Sequence, residues 1–178
     1  MPDTRPAYAG LWPRTVAFAL DYLVIATYLI VLVGLGLLGQ HFAPSLAAAI
    51  FGGPLSGEAA GLLLVTLPVT LYFALNESGP CQATWGKQRR GLRLQTLKGE
   101  RLGLGRALGR TALKFVPWEL AHACIWQMSF AGPAPSPLVV LGFALVWLLV
   151  GANALSVVVS RQRQALYDWL AGTVVVRG

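Results

Sequence analysis

Two charged residues stand at the head of a long hydrophobic run. Arg14 opens the stretch Pro13 to Gly39, and Asp21 is the only formally charged residue between Thr15 and Gly39. Seven residues are two helical turns, so both side chains project from one face, with backbones ~10 Å apart. Counted from Trp12, which suits the headgroup layer, Asp21 lies ~12 Å into the run. A carboxylate there costs about 2.5–3.5 kcal/mol unless it is protonated, paired or hydrated. Such a pair can staple helices together, or it can take up a proton, cation or solute while Arg14 tunes the acid. From these residues both readings are open.

Other residues with chemical potential carry less. Thr66 and Thr70 flank Pro68, where they can satisfy carbonyls freed by the proline or offer oxygens to an ion. Glu119 and His122 have the Glu-x-x-His spacing of di-iron helices, but no second copy accompanies them, so no metal site is expected. Gly34 to Gly39 spells a dinucleotide fingerprint but closes a hydrophobic span. Gly86-Lys87 is not a phosphate loop, because Cys81 stands at the earlier glycine and Gln88 at the Ser/Thr position. No serine or cysteine has a matching His and acid set, so neither an enzyme nor a cofactor is expected.

Positioning these residues is the task of a membrane domain. The 178 residues are 56% hydrophobic and 12% charged, too apolar for an ordinary soluble domain. The expected fold is an all-α transmembrane bundle of four spans, near 13–39, 59–75, 113–130 and 138–159. The third is diluted by Pro117, Glu119, His122 and Gln127. The patch Leu46 to Phe51 is too short to cross and suits an interface or the outer end of the bundle. Cys81 and Cys124 are far apart and read as free thiols.

The net charge of +7 is concentrated between 76 and 112 and near both ends, while the connections 40–58 and 127–137 hold no Lys or Arg. This asymmetry reads as positive-inside, with both termini cytoplasmic and no nucleic-acid partner. It also requires an even number of spans. Within the basic segment, Gly91 to Leu97, the turn Lys98-Gly99-Glu100 and Arg101 to Leu104 predict a small β-hairpin. Arg106, Arg110 and Lys114 follow at four-residue steps, a stripe suited to snorkelling or to anionic lipid headgroups. Residues 161–178 predict a short interfacial helix ending at Gly172, then a strand from Thr173 that can add to the hairpin.

Three separated stretches together resemble the RDD family of bacterial membrane proteins. They are Arg14 with Asp21; Thr84-x-Gly86-Lys87-x-x-x-Gly91-Leu92-Arg93-Leu94 leading to Gly99-x-x-Leu102 and Arg106; and Ala165-Leu166-x-Asp168-x-Leu170-Ala171-Gly172-Thr173-x-Val175-Val176. The arginine and two aspartates that name the family fall on Arg14, Asp21 and Asp168. Trp85 stands where proline is usual, and Tyr167 where histidine is common. The resemblance implies a small multi-span protein of the bacterial inner membrane, with transport suggested and with Arg14 and Asp168 close enough to pair. Two functions are expected: an ion-coupled carrier built on Asp21, working as a homo-oligomer because four spans enclose little; or an accessory protein docking a protein partner or anionic lipid through its basic cytoplasmic face.

Overall fold

The computed structural model describes residues 7–130 and 134–178. Asp3, Arg5 and the middle of the expected connection 127–137 lie outside the described residues. Helix α1 (Leu11–Phe42) is followed by two short helices, α2 (Pro44–Phe51) and α3 (Pro54–Gly61). A π-helical turn (Leu62–Thr66) then continues into α4 (Leu67–Ser78). Next come α5 (Trp85–Arg89), β1 (Leu92–Thr96), α6 (Leu104–Phe130), α7 (Pro137–Val159), α8 (Leu166–Ala171) and β2 (Thr173–Arg177). Proline at the start of α2 and α3 fits positions whose N–H would be unpaired anyway.

Among the described residues three helical stretches are long and apolar enough to cross a membrane: Leu11–Phe42, Pro54–Ser78 and Pro137–Val159. They contain the first, second and fourth expected spans. The third falls inside α6, a continuous helix of 27 residues that is less apolar than these three.

The described residues form two compact units. Of these residues the first takes 7–23, 70–114 and 151–178, and the second 24–69, 115–130 and 134–150. In the first, Ala9, Ala17, Ala74, Leu92, Leu94, Leu102, Ala107 and Val175 make the apolar core. At Ala9 the backbone comes directly against the sheet, its N–H donating to Val175 O at 2.9 Å.

The expected hairpin is not what forms. β1 pairs antiparallel with β2, in the register Leu92 to Arg177, Leu94 to Val175 and Thr96 to Thr173. Its other edge meets Gln82, whose carbonyl accepts from Leu94 N–H. Arg101 to Leu104 has no edge left to join: Leu102 is buried in the core and Arg101 donates to the Ser78 carbonyl at the end of α4. The valines of β2 favour a strand and bury Val174, Val175 and Val176. Tyr8 bridges to Val176 beyond β2, tying the N-terminal segment to the sheet.

In the second unit, the Leu67 N–H bonds to Leu62 O, five residues back. The wide turn lies just before Pro68, which has no N–H for Leu64 O, its usual acceptor four residues earlier. Tyr28 of α1 donates its hydroxyl to Leu64 O at 2.5 Å. That duty falls to Tyr28, not to the nearby Thr66, whose hydroxyl turns to Glu119.

Candidate functional site

Asp21 is 1% exposed in α1 and is met by the start of α5. Thr84 donates its hydroxyl to Oδ2 at 2.6 Å, Gly86 N–H donates to Oδ1 at 2.7 Å, and Tyr72 of α4 donates to Oδ1 at 2.9 Å. The carboxylate thus occupies the N-terminal end of a short helix, whose first N–H groups need acceptors. Contact this close requires glycine. A Cβ on Gly86 would lie 2.0 Å from the Ala17 carbonyl oxygen and 2.9 Å from Asp21 N. The Thr-x-Gly-Lys stretch thereby acquires a physical reason: threonine donates to the acid, glycine permits the approach, and lysine continues into a second cluster.

That cluster is a chain of alternating charges. Lys87 pairs with Glu77 Oε1, and Arg110 Nη1 donates to Glu77 Oε2 at 2.8 Å. Arg110 also donates from Nε and Nη2 to Asp168 Oδ1, at 2.8 and 2.6 Å. Arg14 closes the chain with Nη1 at 2.5 Å from Asp168 Oδ2, while its other nitrogens donate to the Ala9 and Arg163 carbonyls. Asp168 further accepts from Ala165 N–H at the head of α8. Five charged side chains from α1, α4, α5, α6 and α8 are joined in this way.

The electrostatics outside the spans follow from burial and neighbours. Burial pushes the Asp168 carboxyl up, but the guanidiniums of Arg110 and Arg14 outweigh it and hold it at about 2. Burial, aided by the Asp168 charge, pushes the Tyr167 phenol up to about 12, although Arg110 stacks over its ring at 5.0 Å. Burial lowers the Lys87 ammonium from its ordinary value, against the pull of Glu77.

Arg14 does not reach Asp21 in this arrangement; it pairs with Asp168, and Asp21 is held by uncharged donors. The expected headgroup stripe also divides. Arg106 is exposed, Arg110 is 2% exposed within the charge chain, and Lys114 places Nζ 3.5 Å from the centre of the Phe73 ring and 4.7 Å from that of Phe18. A four-residue step turns about 40° per step, enough to carry the middle cation into an interior lined by acids. Glu77 escapes notice in the sequence because, with Glu100, it reads as one of two acids among the nine cations of residues 76–114. Its place at the end of a span, ten residues before Lys87, was the available signal.

The model of the RDD family matches residues 8–172. The chain belongs to the RDD family. No curated relative and no solved structure matches it. The RDD charges Arg14, Asp21 and Asp168 therefore have concrete surroundings here: one aspartate binds the start of α5, while the arginine and the other aspartate close the ion chain. Among the described residues no group of three or more His, Cys, Asp or Glu is placed to hold a metal ion. Glu119 and His122 instead share Thr66, whose hydroxyl donates to Glu119 Oε2 at 2.5 Å and lies 3.5 Å from His122 Nδ1.

Proposed function

We propose that this RDD protein is an accessory protein of the bacterial inner membrane, whose buried charges lock its cytoplasmic end and whose basic surface docks an acidic partner or anionic lipid. In this reading α6 crosses as a fourth span, which leaves both chain ends and the basic segment on the cytoplasmic side. One observation carries the reading. All six carboxylate oxygens of Asp21, Glu77 and Asp168 already accept from protein donors. A cation entering here must displace bonds that the fold itself uses. Around this filled interior, Arg89, Arg90, Arg93, Lys98, Arg101, Arg106, Arg161, Arg163 and Arg177 are exposed, against Glu100 as an exposed acid in the same unit.

Ion-coupled transport is the second reading, favoured by the π-helical turn before Pro68 and by the Thr66, Glu119 and His122 cluster beside it, since such turns recur at functional sites. Reconstitution separates the two. Under the accessory reading, liposomes holding folded wild-type protein pass protons and alkali cations no faster than empty liposomes. A saturable flux that disappears in Asp21→Asn, with that variant still folded, would replace it with the carrier.

A further inference from the structure

The second unit holds a cavity of about 510 Å³. Its walls include Leu32 and Gly36 of α1, Ile50 of α2, Leu64 of the π turn, and His122 and Trp126 of α6. Among the described residues lining it, only His122 and the Trp126 indole carry polar side-chain atoms. A cavity of this size, apolar with one or two convergent polar groups, has the form of a small-molecule site.

The His122 ring has polar neighbours on its Nδ1 side. Nδ1 lies 3.5 Å from Thr66 Oγ1 and 3.7 Å from Glu119 Oε2, and the Trp118 ring packs edge-on with centroids 5.2 Å apart. Nε2, on the far edge of the ring, has no protein partner among the described residues and is the nitrogen left for a ligand. As a neutral ring it accepts a proton-bearing head; as an imidazolium it donates to an anionic one. A carboxyl group satisfies both states, and its anionic form gains a charge-assisted bond. The apolar remainder of the lining asks for a hydrocarbon body.

We propose that this cavity binds a long-chain carboxylic acid drawn from the bilayer, with its chain among the leucine and isoleucine walls and its carboxyl group on His122 Nε2. The proposal stands independently of the docking function above. Its test is equilibrium binding of radiolabelled palmitic acid to the full chain in phosphatidylcholine nanodiscs, with methyl palmitate as the headless counterpart. Wild-type protein binds the acid saturably, near one per chain, and the ester about tenfold or more weakly, the scale of one hydrogen bond to a charged group. His122→Leu brings the acid down to the ester's affinity. Gly36→Leu, where the new Cβ meets nothing within 4 Å and the side chain takes up part of the space that Gly36 lines, weakens binding of both. Absence of saturable acid binding by folded wild-type protein, equal binding of acid and ester, or unchanged binding in Gly36→Leu would each overturn the assignment. If His122→Leu fails to fold, the acid and ester comparison on wild-type protein decides.

Discussion

Gly86→Ala tests how closely α5 must approach α1. The added methyl group would lie 2.0 Å from Ala17 O, where ordinary contact begins at 3.4 Å, and both obstructing atoms within 3 Å on α1's backbone cannot swing away. The start of α5 must retreat, and overpacking of this kind costs about 1–3 kcal/mol. Retreat also stretches the 2.7 Å bond from Gly86 N–H to Asp21, a bond to a carboxylate worth about 1.5–3 kcal/mol. Together the loss is about 2.5–6 kcal/mol, a fall in unfolding temperature on the order of 10 °C for a chain of this size. The assay is thermal unfolding of detergent-purified protein followed by size-exclusion chromatography. Gly109→Ala in α6 is the matched control, because its Cβ meets nothing within 4 Å, and it should unfold at or slightly above the wild-type temperature. If Gly86→Ala also unfolds at the wild-type temperature, the close approach of α5 to Asp21 is wrong.

The charge chain predicts that Arg110→Met leaves Glu77 with Lys87 alone and Asp168 with Arg14 alone, and that losing the bonds Arg110 makes to both acids costs on the order of 3 kcal/mol, with Arg110→Lys recovering only part because its single nitrogen cannot reproduce bonds that Arg110 makes from three; denaturant unfolding of the two variants measures this. Asp168 titrates near 2 in the folded protein against an ordinary 3.8, so its contribution of about 2 kcal/mol is present above the unfolded value and lost as pH falls through the folded one. Unfolding curves from about pH 5 down to pH 2 should show that loss in wild-type protein and a flatter profile in Asp168→Asn. Tyr28→Phe removes the donor to Leu64 O and should cost about 1 kcal/mol without altering helical content by circular dichroism.

Much of this architecture is legible in the chain because hydrophobic length and cation placement act over whole segments. Three spans, the short helix ending at Gly172 and the strand after it follow from such local signals; Gly172 adopts the left-handed conformation, φ +62°, that stops α8. The partners of charges are another matter, since they depend on which faces meet. Arg14 and Asp21 share a helix face, yet α8 brings Asp168 to Arg14 and α5 brings its own donors to Asp21. Alternation at 101–104 spelled a strand as well as 173–176 does, and only the valine-rich segment gained the edge of β1. Arg110 looked like its neighbours in the stripe because nothing in its own helix reports that Glu77 and Asp168 wait on one side.

If the family's arginine and second aspartate hold the fold, Arg14 and Asp168 must be energetically coupled, and a double-mutant cycle on the two measures that coupling. Unfolding free energies of Arg14→Ala, Asp168→Ala and the double variant, in one detergent, are sufficient. Each single variant should be destabilised by several kcal/mol, and the double variant should lose less than the two combined, with a coupling of about 1–3 kcal/mol. Single variants with wild-type stability and no coupling would contradict it, and would return these charges to a role in transport.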